Sequence, residues 1–174
     1  LFFSAAVLVG ASANAQLKIE IAGVGSGQIP VAVAMFADES VAPSLMSDII
    51  KADLTRSGVF KVIDAGVVSD TASIDFGQWK SRGADAVVVG SVQKLANGSF
   101  NVRYKLFDTV KSAELSTLGQ TAVARHIRVA GHRIADDVYE KLTGTRGAFA
   151  TRIAYVNENR ATKDYRLEIA DADG

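Results

Sequence analysis

The chain has 174 residues, 48% of them hydrophobic, and its 19 basic and 19 acidic side chains leave no net charge. That length suits one domain, or one and a fraction, with enough apolar content to build a core. Zero net charge supplies no long-range pull toward nucleic acid or anionic lipid, and the absence of cysteine excludes disulfides, thiol catalysis and cysteine-based zinc sites.

Leu1 to Gly10 is uncharged and apolar. It is too short to span a bilayer, which takes roughly 20 such residues. Ala13-Asn14-Ala15 is an A-x-A cleavage signature. The expectation is a secretory signal peptide over 1–15 lacking its basic n-region, with Gln16 as the first mature residue. The competing reading is a buried N-terminal helix or strand. No later stretch is apolar enough to cross a membrane, so an exported protein without direct membrane insertion is expected.

Leu17, Ile19 and Ile21 alternate with Lys18 and Glu20, a half-buried strand pattern. Gly23-Val24-Gly25-Ser26-Gly27 follows as a flexible joint. Ile29 to Phe36 reads as a buried strand. Pro43 is placed to open a helix whose apolar face is Leu45, Met46, Ile49, Ile50 and Leu54, with Gly58 as its stop. A short strand over Val59 to Ile63 and a loop over Gly66 to Ile74 come next. Asp75 is placed to cap a short helix carrying Phe76 and Trp79, closed by Gly83.

Ala86-Val87-Val88-Val89-Gly90 is a continuous run suited to a central strand covered on both faces. Asn97-Gly98 predicts a two-residue hairpin with positive φ at both positions. Phe100, Val102, Tyr104 and Leu106 alternate with polar residues on the return strand, and Leu115 to Ala124 adds another antiparallel strand. Ile127, Gly131, Ile134, Ala135, Val138 and Leu142 share one helical face, ended by Thr143-Gly144. The order predicts an α/β fold, a mixed sheet packed with helices. Arg152 to Val156 and Tyr165 to Ile169 read as two strands of a further all-β unit, cut off early.

The candidate chemistry is thin. The glycine stretch is G-x-G-x-G, without the spacing or following helix of a dinucleotide loop, so it reads as a linker. His126 and His132 lie six residues apart, on different sides of a helix. They read as capping or surface histidines, with an i,i+4 contact from His132 to Asp136 open to them. Asp136-Asp137 reads as a solvated helix face, since neighbours diverge by about 100°. Asp171-Ala172-Asp173-Gly174 reads as a β-turn rather than a calcium loop. Trp79 reads as a core anchor. No catalytic constellation emerges, which favours a binding or scaffold role.

Several segments, in this order and spacing, resemble the TolB family of periplasmic Tol–Pal components. They are Asp85-Ala86-Val87-Val88-Val89-Gly90, Tyr104-Lys105-Leu106-Phe107-Asp108, Ala130-Gly131-His132, Asp137 to Gly144, and Gly147 to Val156. The resemblance implies an N-terminal α/β domain over 28–147 followed by the start of a β-propeller over 148–174. It implies a non-catalytic periplasmic adaptor without a cofactor, supporting outer-membrane invagination at division and envelope integrity. Its partners would be a TolA-like inner-membrane protein and, through the propeller, a Pal-like outer-membrane lipoprotein.

By position, the TolA-binding segment maps onto Gln16, Leu17, Lys18, Ile19, Glu20, Ile21, Ala22, Gly23, Val24, Gly25, Ser26 and Gly27. A tethered alternating strand can add to an exposed sheet edge. Glu20 stands where the family usually has an apolar residue, and Ala22 where an acidic one is common. The alternatives are a periplasmic small-ligand binding domain, from fold class and export alone, and a hydrolase whose site lies outside this sequence.

Overall fold

The computed structural model describes residues 27–173. The strand after the glycine joint is β1, Ile29–Met35, in which Val31 to Ala34 are fully buried. Alternation along a strand sends successive side chains to opposite faces. Val31 and Val33 therefore enter one apolar cluster and Ala32 and Ala34 another.

The first helix, α1, spans Met46–Arg56 and buries Met46, Ile49, Ile50 and Leu54. It does not open at Pro43 as expected, but three residues later, and the reason is Glu39. This residue lies in a 3-10 turn, Glu39–Val41, and is buried. Its carboxylate accepts from the Ser47 backbone N–H at 2.9 Å and from the Ser47 hydroxyl at 2.6 Å. That satisfies a first-turn N–H with no partner inside the helix and sets where the helix begins. Pro43 is left in the connecting turn. Gly58, at φ 72°, ends the segment as predicted.

The second strand, β2, covers Phe60–Val67 and runs parallel to β1, extending beyond the expected Ile63. Asp75 caps α2, Phe76–Ser81, by accepting from the Gln78 N–H at 3.0 Å, and Gly83 closes the turn at φ 76°. Three further strands follow: β3, Ala86–Lys94, β4, Phe100–Asp108, and β5, Ala113–Ala122. The sheet order is β2-β1-β3-β4-β5, with β1 parallel to both β2 and β3 and the rest antiparallel. The valine run is thus central, and Val87, Val88 and Val89 are fully buried.

The β3–β4 connection differs from the expected two-residue turn. Gly98 has φ 80°, while Asn97 is not among the positive-φ residues. The Gly98 N–H bonds to the Leu95 carbonyl at 2.9 Å and the Leu95 N–H to Ser99 O at 2.8 Å. This is a three-residue loop in which only the glycine takes the left-handed position. Asn97 instead accepts through its side chain from the Ser99 N–H and hydroxyl.

The long helix, α3, Ile127–Thr143, lies with α1 on one face of the sheet, whereas α2 covers the other through Trp79. The two long helices approach closely at Gly131, where a Cβ would stand 2.9 Å from Ile49. Two last strands, β6, Arg152–Asn159, and β7, Asp164–Asp171, pair among the described residues only with each other, as an antiparallel hairpin.

Gly90 exposes how tightly the main cluster is filled. A Cβ there would meet the Phe36 ring at 2.3 Å and the Arg103 carbonyl oxygen at 2.6 Å. The ring could shift; the carbonyl, held in the β3–β4 ladder, cannot. Gly90→Ala is expected to cost about 1–3 kcal/mol through overpacking. Urea denaturation checks it, and an unchanged midpoint would contradict the close packing of Phe36 on this strand.

Candidate functional site

The polar groups that converge in this molecule do so along one side of α3. Arg128, His132 and Asp136 are spaced four apart and so stand one above the other. All three face the segment from Phe149 to Asp173. Asp136 accepts from the Phe149 and Ala150 N–H groups at 2.6 and 3.1 Å. The Arg128 guanidinium donates to the Asp173 carboxylate. His132 sits between them, only 2% exposed.

The ring of His132 bridges two helices. Its Nδ1 lies 2.6 Å from Oδ2 of Asp53 on α1, a carboxylate that is 1% exposed and also paired with Arg56 at 3.2 Å. Its Nε2 faces Oδ1 of Asp173 at 3.6 Å. The hydrogen bond from Asp53 raises the imidazole above its ordinary value; burial works against this and is outweighed. Burial alone would raise the Asp173 carboxyl, but Arg128 and His132 hold it below the usual range.

An apolar contact runs alongside. Phe149 packs edge-on against Tyr139 with ring centres 5.7 Å apart, and Tyr139 packs likewise on Phe60. Asp136 and the backbone at Gly147 are so close that a Cβ on Gly147 would stand 2.6 Å from the Asp136 Cα.

These contacts correct two expectations. His132 is a buried, ion-paired side chain rather than a surface one, and its partner is Asp53, not Asp136. Asp136-Asp137 is not a solvated face. Asp137 accepts from the Tyr104 hydroxyl and from Ser116, and burial followed by the Asp137 bond pushes the Tyr104 phenol up. His126 is exposed, at the end of the 3-10 turn Ala124–His126, and makes no side-chain cap. Trp79 is buried, as expected, and Ala172 and Asp173 form a turn.

Of the predicted partner-binding residues, Gln16 to Ser26 lie outside the described residues, as do the signal region and the first alternating strand. Gly27 is exposed, with nothing within 4 Å of where a Cβ would be.

The TolB amino-terminal domain profile matches residues 17–115. The chain belongs to the TolB amino-terminal domain family. A crystal structure of TolB from Acinetobacter baumannii is similar over 89% of this chain, with 34% identity and a TM-score of 0.69. This TolB-family chain spans 39% of that protein's length. A PelC dodecamer from Paraburkholderia phytofirmans matches at 18% identity and a TM-score of 0.42, over 69% of this chain and 91% of its own. Lipoprotein GNA1162 from Neisseria meningitidis matches at 16% identity and 0.42, over 66% and 99%. At such values neither carries an argument here. The mixed sheet with helices is the TolB amino-terminal fold that the sequence led us to expect.

Sequence reasoning passed over Asp53 and placed His132 at the surface, although a signal was available. Asp53 lies between Ile50 and Leu54 on the apolar stripe of α1, and His132 lies beside Gly131 on that of α3. An ionisable residue on a buried face must be paired, and two facing helices with one each are natural partners.

Proposed function

We propose that this chain is the amino-terminal part of a non-catalytic periplasmic adaptor of the Tol–Pal system. It would link a Pal-like outer-membrane lipoprotein to a TolA-like inner-membrane protein, supporting membrane invagination at division and envelope integrity. The observation that carries this reading is the family match, which begins at Leu17, inside the alternating strand. Among the described residues no helix is long and apolar enough to cross a membrane.

In this reading, cleavage after Ala15 frees the strand that begins at Gln16. Leu17, Ile19 and Ile21 fill pockets on one side while the main chain pairs with an exposed sheet edge of the TolA-like protein. Gly23 to Gly27 provides the slack for that strand to leave its own domain. The β6–β7 hairpin forms the first strands of a propeller, the part that meets the Pal-like protein. Its one face carries Val156 opposite Leu167 and Ala154 opposite Ile169, and three of these four are more than half exposed. Such an apolar face suits a blade packing against its neighbours.

The test is binding of the chain starting at Gln16 to the C-terminal domain of a TolA-like protein. Deletion of 16–27 is expected to weaken binding at least ~100-fold, about 2.7 kcal/mol. Unchanged affinity would sink the strand-addition mechanism. Binding should also fail while residues 1–15 remain attached, since the strand's end is then not free.

A further inference from the structure

Among the described residues, the α3 side that carries Arg128, His132 and Asp136 holds two buried polar atoms without a hydrogen-bond partner: Nε2 of His132 and Oδ1 of Asp173. They are 3.6 Å apart and face each other. Buried polar groups are almost always satisfied, so an orphaned pair in mutual view calls for a physical account. With Nδ1–H donating to Asp53, a neutral ring presents a bare lone pair at Nε2. That lone pair meets a carboxylate oxygen, and the two acceptors repel. Adding one proton at Nε2 turns both orphans into a charge-assisted hydrogen bond.

We propose that His132 is a proton-controlled clasp: as the imidazolium it ties Asp53 of α1 to Asp173 of the turn after β7, and as the neutral ring it leaves that turn held to α3 by Arg128 alone.

The surrounding charges are consistent with a two-state element. From α1, Asp53 and Arg56 face the ring, and from the turn, Asp173 does. From α3 itself, Arg128 pairs with Asp173, and its charge opposes protonation of the ring. The two carboxylates outweigh it, and Asp53 contributes most. Asp136, one turn further on, holds Phe149 and Ala150 through their backbone N–H groups. The hairpin's entry is thus pinned independently of the proton, while its exit at Asp173 has one fixed anchor, Arg128, and one that depends on the proton, His132. The Ala172 N–H bond to Thr151 O at 3.2 Å closes the hairpin base between the two anchors.

The sign follows from the two directions. His132 is raised first by Asp53 and in smaller part by Asp173, so its contribution is fully present below the ordinary histidine value of about 6.5 and is lost as pH rises through the folded value; the Asp173 part is the one that bears on the turn. Asp173 is lowered, so its contribution is present above the ordinary carboxylate value of about 3.9 and is lost as pH falls through the docked one. The clasp is tightest between those limits and opens on the alkaline side.

The test uses NMR on the intact chain, folded and in urea, where its two histidines give two ring signals to assign. The imidazole of His132 should titrate above its own value in the urea-unfolded chain. The backbone order of residues 164–173 should be high at about pH 5.5 and fall by about pH 8.5, either side of the usual histidine value. Each unit by which docking raises the His132 value is a tenfold change in the docking equilibrium over that range. In Asp173→Asn the His132 value should drop and the order of 164–173 should no longer change with pH. In His132→Gln the order should also be independent of pH. Because Asp173 lies in a turn, its variant keeps the core intact and the titration readable. A His132 value at or below that of the urea-unfolded chain overturns the proposal. So does order that ignores pH in the parent chain, or a pH effect undiminished in either variant.

Discussion

Asp53→Ala is expected to destabilise the chain by about 3–5 kcal/mol, because it strands a buried partner. The carboxylate is 1% exposed and the His132 ring 2%, so neither group can turn to water when the other is removed. Alanine leaves the Nδ1–H without an acceptor and Arg56 without its pair. It also leaves a space between the two long helices on which the main apolar cluster rests. The loss corresponds to a fall in Tm of roughly 6–20 °C for a chain of this size. Asp53→Asn should cost less, since the amide oxygen can still accept from Nδ1–H. Urea melts of the three proteins at mildly acid pH measure the series. A loss below about 1 kcal/mol for alanine would mean that water reaches the pair, as at exposed ion pairs.

Trp79→Ala should cost a similar amount, about 3–5 kcal/mol, for a different reason. The cluster under α2 includes four small residues, Ala32, Ala34, Ala65 and Ala84, beside Val87 and Val89. One large side chain must fill the space they leave, and α2 has only six residues with which to supply it. Trp79 does so, 4% exposed, with the Arg82 guanidinium 4.3 Å over its ring. Phe76 and Phe107 complete the layer edge-to-face at 6.1 Å. Truncation opens a cavity that the alanines cannot close by repacking. Trp79→Phe should recover part of the loss. Equal melting of the alanine variant and the parent would show that α2 contributes nothing to the fold.

The two predictions separate what was readable from what was not. The need for an anchor at Trp79 was visible in the sequence, since a tryptophan in a short capped helix has few other uses. The Asp53–His132 pair was not read, although each residue sits on an apolar stripe. Its members are 79 residues apart, and nothing local to either names the other. The Asn97-Gly98 turn lies between these cases. The glycine's position was correct because its φ is a local property. The loop length was not, because the Ser99 contacts with Asn97 and Leu95 decide it.

By itself, the sequence determined the elements and their periodicity. Alternation in β4, the valine run of β3, the Asp75 cap and the glycine stops at 58, 83 and 144 all act within a few residues, where spacing alone settles the geometry. The segments 85–90, 104–108, 130–132, 137–144 and 147–156, in their order along the chain, carried the family resemblance. Tertiary structure alone decided which polar groups meet. The burial that makes Glu39 set the start of α1, turns Asp137 toward Tyr104 and encloses His132 between two carboxylates exists only once the helices lie on the sheet. A side chain's charge state and its cost depend on what surrounds it in space, and the hairpin that brings Asp173 to His132 is 41 residues further along the chain.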